Sequence, residues 1–326
     1  MAYRVAIAGG GKIAKKHVEA VGKLQEYELA AVADLQLERA ASLVEGLGAK
    51  AYIDYKEMIA EEKPDVVIIT LPHFLHKESL IYAVEQGCHC LLEKPMALNA
   101  AECDEMIAAV ERSRTKVLVG HTQHYLAENL VVKAIVDEGE LGQLIMINDK
   151  RHGYFFAPER PDWFLKKSLA GGGLVMNLGS HSIDRIQWLS GSRISKVRAV
   201  MTHFGDRGDV EGSGLLYMEN EQGVPVTLAQ SGYKVPYQNE FEMLFTGGAI
   251  RTVVGKGVWI SRGEAYEQIE VPPVEEPFIL QLRDLLQYIE SGIEPESSLA
   301  YARSVIAVIE QAYLSHETQT ERSCLV

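Results

Sequence analysis

A glycine-rich turn between the first apolar run and the first helical pattern constrains this chain most. Tyr3–Ala8 has the length and composition of a buried strand, and Gly9-Gly10-Gly11-Lys12-Ile13-Ala14 follows it directly. Ile13, His17, Val18, Val21 and Leu24 then recur at helical spacing. Such a strand–turn–helix has one well-understood use. Gly9 permits the tight turn, Gly11 lets a pyrophosphate approach the backbone, and the small Ala14 allows the helix to pack closely on its strand. The helix N-terminus then presents unpaired N–H groups and the positive end of its dipole to the phosphates. Asp34 ends the next apolar run, about 20 residues onward, where a carboxylate can accept both adenosine-ribose hydroxyls. Strand, turn, helix, strand and acid together indicate a dinucleotide. A 2′-phosphate would be repelled by Asp34, and Leu35-Gln36-Leu37 supplies no arginine to pair with one, so NAD is expected in preference to NADP.

The pattern of apolar residues divides the chain near residue 121. Up to that point short apolar runs (66–70, 90–92, 117–119) alternate with helical patterns (77–85, 100–112). That alternation implies right-handed crossovers and a parallel sheet covered on both faces. From residue 144 the runs lengthen and alternate apolar with polar residues, at 196–205, 214–219, 224–233, 240–246 and 257–261. Glycine-bearing turns separate them, which is the pattern of an antiparallel sheet. Two amphipathic helices close the chain: Phe278, Leu282, Leu285, Leu286 and Ile289 form one stripe, and Leu299, Ala302, Val305, Ile306, Ile309 and Tyr313 form the other. The expected division is 1–120 for the dinucleotide domain and 121–326 for substrate binding and oligomerisation, with the last helix free to pack back on the first domain.

Composition narrows the partners. The 326 residues include 32 Lys+Arg against 45 Asp+Glu, a net charge of −13. Nucleic acid and anionic membrane surfaces both call for a basic face, so neither is an expected partner. No apolar run approaches the roughly 20 residues that span a bilayer, and the first residues lead straight into the glycine turn without an apolar signal segment. A cytoplasmic location is expected. The four cysteines form no disulfide framework, and Cys88-His89-Cys90 is not a zinc spacing. Neither His73/His76 nor His121/His124 lies in a metalloprotease motif, so no metal is expected.

Two further segments carry chemistry. Glu93-Lys94-Pro95 follows the apolar run at 90–92, and open α/β sheets bind ligands at the carboxyl ends of their strands. A lysine there can polarise a hydroxyl or carbonyl oxygen, and its charge lowers the pKa of an alcohol being oxidised. The second segment, 171–184, begins with three glycines at the mouth of a helical pattern. Its Asn177 and His181 are four apart and so share a helix face. Asp184, three beyond His181, can either orient that imidazole or make an ordinary structural hydrogen bond. Upstream lie Arg151-His152-Gly153-Tyr154-Phe155-Phe156 and Arg160-Pro161-Asp162-Trp163-Phe164, where aromatic faces beside polar groups suit a sugar. Arg151, Tyr154, Asp162 and Trp163 are the candidate contacts; Phe155, Phe156 and Phe164 read equally well as core.

With the glycine turn, Asp34, Glu93-Lys94-Pro95, the 171–184 segment and the closing Ala307-Val308-Ile309-Glu310-Gln311-Ala312-Tyr313-Leu314-Ser315 in this order, the chain resembles the glucose–fructose oxidoreductase/inositol dehydrogenase (Gfo/Idh/MocA) family over nearly its whole length. The resemblance implies an α/β protein: an N-terminal Rossmann parallel sheet and a C-terminal α/β domain with an open, mostly antiparallel sheet. It implies hydride transfer between a sugar, cyclitol or related polyol and NAD(P), and a homodimer or homotetramer formed through the C-terminal sheet. Carried over by position, Lys94 is the catalytic lysine and His181 the acid/base. Gly9, Gly11, Lys12, Ile13, Asp34, Leu71, Pro72, His76, Glu93, Lys94 and Gln123 are cofactor contacts. Lys94, Arg151, Tyr154, Asp162, Trp163, Asn177 and His181 are substrate contacts. Many members carry aspartate where this chain has Asn177. An amide cannot take a proton, so Asn177 is expected to hydrogen-bond substrate or Lys94 rather than form half of an acid/base dyad. The segment Gly120-His121-Thr122-Gln123-His124-Tyr125 also departs from the family's common Phe and Arg. Two other functions share these features: a lyase or glycosidase that retains NAD and oxidises its substrate transiently, and a non-catalytic NAD-binding regulator. The presence of both Lys94 and His181 argues against the regulator.

Overall fold

A computed structural model describes residues 2–325 as two compact units, one of 2–122 with 275–303 and one of 123–274 with 304–325. In the first unit, β1 (Tyr3–Ala8), α1 (Lys12–Val21), β2 (Tyr27–Ala33), α2 (Leu37–Val44), β3 (Lys50–Tyr52), α3 (Tyr55–Glu62), β4 (Val66–Ile69), α4 (His76–Glu85), β5 (His89–Leu92), α5 (Ala100–Ser113) and β6 (Val117–Val119) follow one another. All strand pairs are parallel, in the order β3-β2-β1-β4-β5-β6. The chain winds outward in both directions from the β1/β4 pair, which makes their carboxyl ends the switch point where such sheets take ligands. The alternation predicted this sheet. It did not reveal β3 and α3, whose short, half-exposed segments carry little hydrophobic periodicity.

The second unit opens with α6 (Ala127–Glu138), β7 (Leu144–His152), α7 (Lys167–Ala170), α8 (Ser180–Ser190), β8 (Ile194–Thr202) and β9 (Ser213–Asn220). It continues through β10 (Pro225–Ser231), β11 (Gln238–Phe245), β12 (Gly248–Val253), β13 (Gly257–Ser261) and β14 (Glu267–Ile269). The chain ends with α9 (Pro277–Ser291), α10 (Leu299–Thr318) and β15 (Arg322–Ser323). The sheet order is β14-β13-β12-β11-β7-β10-β9-β8-β15. Every pairing is antiparallel except β10 with β7, so the sheet is mixed, mostly antiparallel and open at both edges. Alternation sends Val197, Ala199, Leu216, Met218, Val226 and Leu228 to a buried face. The opposite face keeps Val200 (52% exposed), Leu215 (60%) and Tyr217 (49%) in solvent. Val200 and Leu215 are cross-strand partners. No helix among the described residues is long and apolar enough to cross a membrane.

The apolar stripe at 278–289 finds its partner in the first unit. Ile279, Leu282 and Leu285 of α9 are buried in one cluster with Val18 and Val21 of α1 and with Val5, Ile7, Val32 and Val66 of the sheet. Pro277 sits at the start of α9, where its missing N–H costs nothing. The buried face of the second sheet holds an ion pair instead of another aliphatic layer. Asp149 on β7 accepts from Arg185 of α8 at 2.7 Å (Nη2) and 3.2 Å (Nε), and both side chains are fully buried. Removing one member of a buried pair strands the other's charge. Asp149→Ala is therefore expected to lower unfolding free energy by about 3–5 kcal/mol, read by urea denaturation.

Candidate functional site

The glycine turn of the first unit leaves uncapped backbone at the start of α1. Gly9 has φ +106°, and a Cβ there would lie 2.7 Å from the Thr70 carbonyl oxygen, so glycine alone lets β1 turn against the end of β4. Gly11 precedes α1 with no atom within 4 Å of the place a Cβ would take. No side chain caps α1, and no acid occupies its first turn. Its first N–H groups therefore face an open space, with exposed Lys12 and half-buried Ile13 on the same turn. Asp34 ends β2 with its carboxylate fixed by two backbone donors, Gly10 N–H and Gln36 N–H, each at 2.8 Å. Each carboxylate oxygen retains a second lone pair for a ribose hydroxyl. This arrangement fits NAD: Gly11–Ile13 would hold the phosphates and Asp34 the adenosine ribose.

The adjacent strand ends bring the remaining predicted residues of this unit to the same edge of the sheet. Leu71 and Pro72 follow β4, while Glu93 and Lys94 follow β5. His76 is buried at the start of α4, its Nδ1 2.8 Å from the Pro95 oxygen and its Nε2 2.8 Å from the Leu71 oxygen. It ties the loop after β4 to the segment after β5. Burial draws its pKa below the ordinary value, against the pull of the two carbonyl oxygens. Glu93 is buried and bonds Nε2 of His17 on α1 at 2.9 Å. His17 in turn meets Phe278 edge-to-face. Local spacing carries no sign of this bond, since 76 residues separate its partners.

In the second unit the glycine-led segment runs through a π-helical turn, Val175–Gly179, into α8. Asn177 and His181 lie on these consecutive turns, both half-buried. Glu211 holds the entry. Its carboxylate accepts from Gly173 N–H (2.9 Å), Val175 N–H (2.8 Å) and the Tyr313 hydroxyl (2.9 Å). A Cβ at Gly172 would fall 1.9 Å from the Tyr313 hydroxyl oxygen, and one at Gly173 would fall 2.3 Å from the Glu211 carbonyl oxygen. The glycines are thus required by close packing. Asp184 pairs with His124 Nε2 at 2.8 Å, and that imidazole stacks on Trp188. Gln123 is buried, with its carbonyl oxygen accepting from Asn129.

The candidate substrate contacts divide by exposure. Tyr154 is exposed beneath the Lys234 ammonium, and Asp162 is exposed and paired with Arg207 at 2.8 Å. Trp163 is half-buried and stacks on Phe164. Phe155 and Phe156 belong to a buried cluster with Leu165, Leu174 and Val210. Arg151, on β7, is half-buried.

Glu93 couples this site to acid stability. Burial pushes its pKa up, but the His17 hydrogen bond and the charges of His17, Lys94 and His76 outweigh it and hold the carboxyl below its usual 4.5. A carboxylate whose pKa is lowered on folding stabilises fully above its unfolded value, and that contribution is lost as pH falls through the folded value. Melting curves from neutral pH to below 4.5 should fall more steeply for the wild type than for Glu93→Gln, which lacks this titration.

Known proteins match both parts of the chain. Residues 3–121 match the oxidoreductase family with an NAD-binding Rossmann fold, and residues 130–251 match the GFO/IDH/MocA C-terminal domain. An inositol 2-dehydrogenase of Arthrobacter sp. (strain FB24) is 29% identical over 250 residues, 73% of this chain and 71% of that protein. A D-glucoside 3-dehydrogenase of Escherichia coli (strain K12) is 33% identical over 208 residues, 61% of this chain and 57% of that protein. The fold also matches a solved levoglucosan dehydrogenase in complex with NADH and L-sorbose, with a TM-score of 0.90 and 20% identity over 99% of each chain. With both halves of the chain matched in order, the protein belongs to the Gfo/Idh/MocA family of NAD-binding oxidoreductases.

Proposed function

We propose that the protein is a dehydrogenase of a small polyhydroxylated substrate, a sugar, cyclitol or related polyol, with Lys94 and His181 as its catalytic residues. The position of Lys94 carries the reading. It is the second residue after β5, next to a glutamate bonded to α1, at the edge of the sheet where Gly11 and Asp34 form the dinucleotide cradle. Bound NAD supplies the hydride acceptor. The Lys94 ammonium stabilises negative charge on the substrate oxygen, lowering the alcohol's pKa. The His181 imidazole takes the hydroxyl proton. Asn177 donates or accepts a hydrogen bond without changing its own protonation. Arg151, Tyr154, Asp162 and Trp163 contact the other substrate groups, and Gln123 contacts the cofactor. Leu71, Pro72 and His76 shape the cofactor's edge.

The inositol and glucoside dehydrogenases among the relatives support this substrate class. The exposed apolar face at Val200, Leu215 and Tyr217 supports a homodimer or homotetramer formed through the C-terminal sheet, since contiguous apolar patches commonly mark interfaces. A cytoplasmic location accords with four free cysteines, all buried.

NADH formation across a panel of sugars and cyclitols tests the reading. Lys94→Ala and His181→Ala should each lower kcat/KM by about 10²–10⁴-fold. Unchanged turnover in both would refute the assignment. Product formed without net NADH, from protein that retains NAD through purification, would point instead to transient oxidation. Light scattering should show Leu215→Asp dissociating the oligomer while leaving the protomer folded.

A further inference from the structure

The buried face of the second sheet carries more positive charge than its own residues neutralise. Arg185 is fully buried and spends its Nε and Nη2 on Asp149. The other oxygen of Asp149 accepts from the Ser182 hydroxyl at 3.1 Å. Arg151 follows Asp149 by two residues on β7, about 6.6 Å along the same face. Its side chain makes no hydrogen bond or ion pair with any described residue, and its buried Nη1 has no partner. Nη1 of Arg185 is likewise buried without one. Asp149 thus pairs with Arg185 alone, and the Arg151 guanidinium lies close enough to feel both charges. Burial and the neighbouring Arg185 charge bring the Arg151 pKa down from 12.5 to about 10, while Asp149 and Tyr237 pull the other way.

The neighbours of Arg151 are polar as well. Register places Gln230 of β10 on one side of it and Asn239 of β11 on the other. Both amides are buried, and Gln230 Oε1 and Asn239 Oδ1 have no partner. Gln230 Nε2 donates to the Ser182 hydroxyl at 3.1 Å, which ties this row to the residue after His181. A half-buried guanidinium with no bonded counter-ion and a buried, unpartnered Nη1 costs folding free energy, which a ligand of opposite charge would offset. Guanidinium matches the planar or tetrahedral oxygens of carboxylate and phosphate, and accepts both through paired N–H donors.

We infer that the substrate carries a negatively charged group, a carboxylate or a phosphate, and that Arg151 receives it between the amides of Gln230 and Asn239. The inference rests on the dehydrogenase reading for the reaction, and adds to it the charge of the molecule oxidised. A sugar acid or a sugar phosphate satisfies the row, whereas an uncharged polyol leaves the cation bare.

Thermal shift with NAD present, using D-glucose, D-glucuronate and D-glucose 6-phosphate, tests the inference and separates its two anion sources. The wild type should be stabilised by glucuronate or by the phosphate, and not by glucose; the larger shift identifies the anion. Arg151→Met should lose that preference, the ratio of anion to neutral affinity falling at least about 30-fold, while its own melting temperature stays at or above the wild type. Arg151→Lys should keep part of the preference. No shift of the wild type by either anion, equal shifts by glucose and the anions, or an undiminished anion response in Arg151→Met would overturn the inference. NADH formation from neutral polyols that is abolished by Lys94→Ala would leave the dehydrogenase reading standing while this inference fell.

Discussion

The approach of Gly9 to the Thr70 carbonyl is the contact on which the rest of the first unit depends. A side chain at that point would collide with backbone, not with a movable group, so the turn out of β1 exists only because the residue is glycine. The turn sets the start of α1 over the carboxyl ends of the parallel strands and leaves its N–H groups uncovered. Asp34 then fixes the second edge of the cradle by accepting from Gly10 of the same turn. Glu93 adds a clamp from the next strand but one, bonding His17 one helical turn further along α1. The residue after that clamp is Lys94. A single backbone approach thus positions the cradle, and one buried carboxylate fixes the chain beside the lysine.

The second unit uses a different means of precision. Its glycine segment is packed so tightly against Tyr313 and Glu211 that the backbone into α8 has little freedom. Burial raises the Glu211 pKa, opposed by the backbone donors at Val175 and Gly173. Beneath α8 the sheet holds two arginines, Arg151 and Arg185, and one aspartate, Asp149.

What could be read from the sequence was local. The glycine turn, Asp34 and Glu93-Lys94-Pro95 announce themselves because their chemistry depends on neighbours a few residues away or on a strand end. The alternation of periods separated a parallel from a mostly antiparallel sheet for the same reason. The 278–289 stripe was visible as a stripe, but its partner on α1 was not. Short or weakly patterned elements escaped: β3, α3, α6 and β12 carry too few buried positions to impose a period. Long-range pairing was hidden altogether. Asp184 offered two readings by spacing, and the structure pairs it with His124, 60 residues earlier. Arg151 was singled out by its aromatic neighbours. Only strand register brings Gln230 and Asn239 to its sides.

In the proposed reaction, substrate hydrogen leaves carbon for the nicotinamide beside Lys94 and His181. Mass spectrometry of the cofactor, after incubation with NAD and carbon-deuterated sugars and cyclitols, measures that transfer directly. The proposed reaction gives reduced cofactor one mass unit heavier than NADH from the wild type, and at least about 100-fold less of it from Lys94→Ala or His181→Ala. Reduced cofactor without deuterium, or transfer that persists undiminished in both variants, would contradict it.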